Sequence, residues 1–120
     1  MNFELLLEQR QEQDTFPLRL ANARCNLQHV PLHSIHRGDY LTADDVELLQ
    51  SRGSESIYLS RVLNLVPSIY YNRARPAPHV ISHKGTFHVI AGREIVSAYD
   101  YAGKTHFPVI IVEPGSSFIH

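Results

Sequence analysis

FHVIAGREIVSAYDYAGKTHFPVIIVE, residues 87–113, is the stretch whose reading decides the fold. Phe87–Ala91 reads as a strand that stops at Gly92, and the charged pair Arg93-Glu94 follows. From there Ile95, Ala98, Tyr99 and Ala102 recur at helical spacing until Gly103, a residue suited to the left-handed position after a helix end. Phe107–Val112 is a short unbroken apolar run rich in β-branched residues, the pattern of a strand covered on both faces. Strand, turn, helix and buried strand together specify a layered α+β unit rather than a bundle or a sandwich.

Working outward, Lys84-Gly85 separates Phe87–Ala91 from a preceding strand, His79–His83, and the pair reads as a hairpin. Ser68–Pro78, SIYYNRARPAP, is aromatic, basic and proline-rich, and reads as a connection. Before it, Tyr58, Val62, Leu65 and Val66 recur at helical spacing up to Pro67. A buried strand over IYLSRVLNLV is equally compatible with that run. Thr42-Ala-Asp-Asp opens a helix, with Thr42 as cap and Asp44 and Asp45 at the positive end of its dipole. Gly53 closes it. Leu27–Ile35 reads as a short strand interrupted by Pro31, and Phe3–Gln13 as a short helix or arm. The expected organisation is an N-terminal arm over 1–27, one small α+β (α/β) domain over 28–113 with a mixed sheet flanked by helices, and a tail over 114–120.

Composition agrees with a globular chain: 43% of the 120 residues are hydrophobic and 19% charged, which excludes a disordered polyelectrolyte. No apolar run approaches the ~20 residues that span a bilayer, and the acidic N-terminus is unlike a signal peptide. A cytoplasmic location without a membrane partner is expected, and the single cysteine, Cys25, suits a reducing compartment. Net charge is −1, yet it is unevenly distributed. Residues 1–51 carry four arginines against eight acids, whereas residues 52–104 carry seven cations against three acids. That asymmetry suggests that the second half meets an anion.

The order of phrases resembles the ParB/sulfiredoxin superfamily. VPLHSI (30–35), TADDVELLQSRG (42–53), PHVI (78–81), KGTFHVIAG (84–92), SAYDYAG (97–103) and FPVIIVE (107–113) follow that family's succession of strand, helix, strand, strand, helix and strand. The resemblance implies a sulfiredoxin-like fold over residues 28–113. In ParB-like members the residues after the glycine form a phosphate-facing turn ending in arginine; in sulfiredoxin-like members the turn carries a catalytic cysteine. Here Gly92 is kept, but Arg93 and Glu94 follow, and Ile95 stands at the family's arginine position. Cys25 lies far upstream, so sulfinic-acid reductase chemistry is not expected.

The resemblance thus implies an accessory protein of a plasmid, phage or other mobile element, binding nucleotide or nucleic acid with little or no catalysis. Its candidate contacts are Gly92, Arg93, Glu94, Arg73, Arg75, Lys84, Tyr70 and Tyr71. Arginines among tyrosines pair with phosphates and stack on bases. A nucleoside triphosphate with Mg²⁺ is the candidate cofactor. A second reading is a protein-interaction or inhibitor module that has lost its ligand site. A third is a metal-dependent nuclease or nucleotide hydrolase using Glu94 or Asp100. The eight histidines fall into two sets, His29–His33–His36 and His79–His83–His88. Neither set has zinc-finger spacing, and no metal site is expected from them.

Overall fold

The computed structural model describes residues 24–113. In chain order these form β1 (Arg24–Pro31), two single 3-10 turns (Leu32–Ser34 and Arg37–Asp39), α1 (Ala43–Ser51), α2 (Ile57–Tyr70), β2 (His79–His83), β3 (Thr86–Ala91), α3 (Arg93–Tyr101) and β4 (His106–Glu113). The arm helix expected over Phe3–Gln13 and the tail over 114–120 lie outside the described residues.

One four-stranded mixed sheet in the order β1-β4-β2-β3 organises the chain. β4 sits between β1, antiparallel to it, and β2, parallel to it. Its central place accounts for its sequence: Phe107, Pro108, Val109, Ile111 and Val112 are all buried. β2 and β3 form the expected hairpin. Lys84 and Gly85 both take positive φ, 51° and 80°, the requirement of a type I′ turn. β1 starts at Arg24, paired with Glu113, so the strand takes in residues that the sequence pattern assigns to the arm. It ends at Pro31, where the chain turns into the first 3-10 turn instead of continuing to Ile35 as a strand. Proline has no N–H to extend the ladder.

The helices share one core with the sheet. Val46 of α1, Val62 of α2, Val96 and Ala98 of α3, and Val80, Val89 and Val109 of the strands are wholly removed from solvent. At ~25 cal/mol per Å², burial of such side chains is the main driving force for this arrangement. Thr42 caps α1 through a capping box: its hydroxyl accepts the Asp45 N–H, and the Asp45 carboxylate accepts the Thr42 N–H.

α2 settles the ambiguity over residues 57–66 in favour of a helix, and it runs past Pro67 to Tyr70. The sequence pattern stops it at Pro67 and makes 68–70 part of a connection; both expectations are corrected. Proline removes one hydrogen bond at a cost of ~3 kcal/mol. The next turn, however, places Ile69 in the core at 2% exposure, and burying such a side chain returns about 1.5–3 kcal/mol.

Candidate functional site

The turn between β3 and α3 is built around Gly92. Its φ of 86° and ψ of 38° are left-handed, and it is the residue that caps α3. A Cβ there would stand 3.0 Å from Ile95 Cδ1 and 3.2 Å from Pro78 Cα. Both the backbone angle and the close approach of the strand therefore require glycine. Ile95 accordingly packs beneath the turn and against the core. Arg93 is the first residue of α3 and Glu94 the second. Glu94 stands in the first turn of α3, where its negative charge is favoured by the positive end of the helix dipole.

Arg93 lines an open cleft of about 240 Å³ together with Gly38, Asp39, Tyr40, Leu41, Ser56 and Tyr58. Its Nε is buried. Two helices begin at this cleft: α3 at Arg93, and α2 after Ser56, whose hydroxyl accepts the Leu59 N–H at 3.1 Å. The wall is fixed by Ser97, buried on α3. Its Oγ accepts the Leu41 N–H at 2.9 Å and shares a 3.0 Å hydrogen bond with the Tyr58 hydroxyl. Burial is the main cause that pushes the Tyr58 phenol above its ordinary range; the Ser97 hydrogen bond opposes it, Glu94 adds to it, and Arg93 counteracts. Tyr58 thus presents a neutral hydroxyl at physiological pH.

Asp39 connects this cleft to a second cluster. It is buried, and its Oδ2 accepts the Val89 N–H at 2.9 Å, joining the second 3-10 turn to β3. Two imidazoles flank it. His36 Nδ1 lies 3.4 Å from Oδ1 and His88 Nδ1 lies 3.6 Å from Oδ2. The two rings stack with centroids 4.8 Å apart, and His83 meets His88 edge-on at 6.1 Å. The histidines are therefore regrouped relative to the sequence sets. His36 leaves His29 and His33, which are exposed on β1 and the first 3-10 turn, and joins His88 and His83 of the hairpin.

The other sequence-predicted residues are spread over the surface. Lys84 occupies the hairpin tip, and the length of β3 separates it from Arg93 by roughly 20 Å. Tyr70 ends α2, with Tyr71 and Arg73 just beyond it. All three are exposed, and the helix, about 20 Å long, divides them from Ser56 and Tyr58. Tyr70 meets Tyr71 edge-on, and the Arg73 guanidinium lies 5.5 Å from the Tyr71 ring. Arg75 is exposed three residues before Pro78, and its charge reaches the Tyr99 hydroxyl. Of the predicted set, then, Arg93 lines the cleft, with Gly92 and Glu94 as its neighbours at the start of α3. Asp100 is engaged elsewhere: its Oδ2 accepts the Ala43 N–H at 2.8 Å and ties α3 to the start of α1. Cys25 is exposed on β1, at the opposite edge of the sheet from β3.

Sequence reasoning missed Asp39, Ser56, Tyr58 and Ser97. The His36-x-x-Asp39 spacing is a local hint for the first. The others gain their role by contacts such as Tyr58–Ser97, 39 residues apart.

No protein-family model matches the chain, and no curated protein matches it. Among solved structures it is similar to the crystal structure of sulfiredoxin from Arabidopsis thaliana, with a TM-score of 0.52 and 19% identity over 78% of this chain and 92% of that one. The shared property is the fold: a small α+β domain with a four-stranded mixed sheet and three helices. Among the described residues no helix is long and apolar enough to cross a membrane.

Proposed function

We propose that the chain is a ParB-like accessory domain that binds the phosphate of a nucleotide or nucleic acid at the start of α3, with little or no catalysis. One observation carries this reading: Arg93 opens α3 directly after left-handed Gly92 and lines a cleft at which α2 also begins. Helix starts present unpaired N–H groups and the positive end of the dipole, and a guanidinium adds a planar charged donor. At about 240 Å³ the cleft is smaller than the ~300–1,000 Å³ that enclose a drug-sized ligand. It suits a phosphoryl group, with the rest of the nucleotide lying outside. Mg²⁺ would arrive with a triphosphate.

The phrases of residues 78–113 support a place among accessory proteins of plasmids, phages or other mobile elements, acting in the cytoplasm. Little catalysis is assigned because the carboxylate of Asp100 serves the start of α1, and the charge of Glu94 sits in the first turn of α3, where it favours the helix dipole. Cys25 is across the sheet from the turn, which supports no sulfinic-acid reductase activity.

A second reading, a protein-interaction module, is favoured by a different observation. At the C-terminal end of α2 Tyr71 is 64% and Tyr70 56% exposed, with exposed Arg73 beside them, and tyrosine and arginine are enriched at the centres of protein interfaces.

Calorimetric titration of CTP, ATP and short DNA against the wild type and Arg93→Ala tests the proposal. Binding weakened at least tenfold by the substitution is expected, and the three titrants separate nucleotide from nucleic acid. Absence of heat from the wild type at millimolar ligand would sink it and leave the interaction module. Turnover with Mg²⁺ or Mn²⁺ that disappears in Glu94→Gln would instead reveal an enzyme.

A further inference from the structure

We infer that His36, Asp39 and His88 form a binding site for a divalent transition-metal ion of the zinc class, separate from the anion reading above. A ligand atom from each of the three lies within 4.8 Å of the others. The carboxylate turns one oxygen to each imidazole, at 3.4 and 3.6 Å to Nδ1. Those distances exceed the ~2.7–3.2 Å of N–H···O hydrogen bonds. Two donors held ~2.0–2.1 Å from one tetrahedral ion stand about 3.3–3.4 Å apart; the His36–Asp39 pair has that separation, the His88–Asp39 pair is slightly wider, and metal binding would draw the three donors in from their 4.8 Å spread.

The surroundings meet the further demands of such a site. Asp39 is fixed by the Val89 N–H at 2.9 Å. A carboxylate has about four lone-pair positions, so this bond orients the ligand without exhausting it, the role that outer-shell partners play in metal sites. The three residues come from two rigidly joined pieces, the second 3-10 turn with its cap and the strand β3. The His36 N–H donates to the Phe87 carbonyl at 2.8 Å, so the backbones carrying His36 and His88 are themselves hydrogen-bonded. An access route exists as well, because the His36 side chain is 50% exposed while Asp39 and His88 are 8% and 15% exposed.

Two imidazoles and one carboxylate select Zn²⁺, Co²⁺, Ni²⁺ or Cu²⁺ over the all-oxygen preference of Mg²⁺ and Ca²⁺. Three protein ligands leave a coordination position for water or an anion, beside the cleft that Asp39 also lines.

The test uses the full chain freed of metal, titrated with Zn²⁺ by calorimetry and with Co²⁺ by its visible absorption. One ion per chain is expected, with micromolar or tighter affinity and the intense d–d bands of a four-coordinate cobalt site. His36→Ala and His88→Ala should each weaken Zn²⁺ binding tenfold or more, while His33→Ala, an exposed neighbour, should leave it within twofold. His36→Ala is the variant that keeps the fold, and an unchanged melting curve without metal checks this. Asp39→Asn is the stricter variant: at nearly the same shape it should also lose the metal. Failure of the wild type to bind Zn²⁺ or Co²⁺ at hundreds of micromolar would overturn the site. Affinity unchanged in the His36→Ala/His88→Ala double variant, or lost equally in His33→Ala, would do the same.

Discussion

The N-terminal end of α2 is tied into the protein by polar bonds beside buried Leu59, whereas its C-terminal end is held by apolar packing, with Ile69 buried and Leu65 and Val66 against the same core. At the first end the Ser56 hydroxyl caps the helix and the Tyr58 hydroxyl shares a hydrogen bond with buried Ser97. At the second, Ile69 is buried while Tyr70, Tyr71 and Arg73 around it remain in solvent. Each directional polar bond contributes about 0.5–1.5 kcal/mol net, yet it fixes positions to a fraction of an ångström, which a ligand site needs. Apolar burial contributes more but without direction, and it leaves the surrounding surface open for contacts with other molecules. The difference teaches where to look for a small ligand and where for a large partner.

The comparison breaks most easily at Ile69. Ile69→Ala should cost about 2–5 kcal/mol in urea denaturation, and should fray the turn after Pro67 as seen by hydrogen exchange of the Tyr70 and Tyr71 amides. An unchanged stability would mean that the last turn is held by something other than this side chain. Gly92→Ala comes next, at about 1–3 kcal/mol, because a Cβ would meet Pro78 Cα at 3.2 Å in a left-handed backbone. Its effect on ligand binding should exceed that of Ile69→Ala at equal stability, since it moves the start of α3. Ser56→Ala should cost about 1 kcal/mol and loosen the cleft end alone. Smallest of all, Arg73→Ala should stay within about 0.5 kcal/mol in stability and leave nucleotide affinity within twofold. A loss of DNA affinity matching that of Arg93→Ala would show instead that one surface runs along the whole helix.

Much of the scaffold was legible in the sequence because its signals are local. The unbroken β-branched run of β4, the alternation of the hairpin about Lys84-Gly85, and the glycines closing α1 and α3 depend on neighbours within a turn or two. The end of α2 was misread for the opposite reason. Pro67 is a strong local stop, and what overrides it is the burial of Ile69 against strands and helices distant in sequence. The candidate site divides the same way. Gly92-Arg93 stands out as a strand-to-helix turn, whereas Asp39 acquires its meaning from Val89, 50 residues away. Among the histidines, the hairpin does bring His83 to His88, but spacing along the chain puts His36 in the wrong set, because the pairing of Ile35 with Phe87 is what carries it to His88.

The pairing of Arg24 with Glu113 has a mechanical consequence. The two residues face each other across one antiparallel ladder, about 5 Å apart between Cα atoms. A force that separates them would load that ladder from its end and open it one pair at a time, like a zipper, instead of shearing all its bonds together.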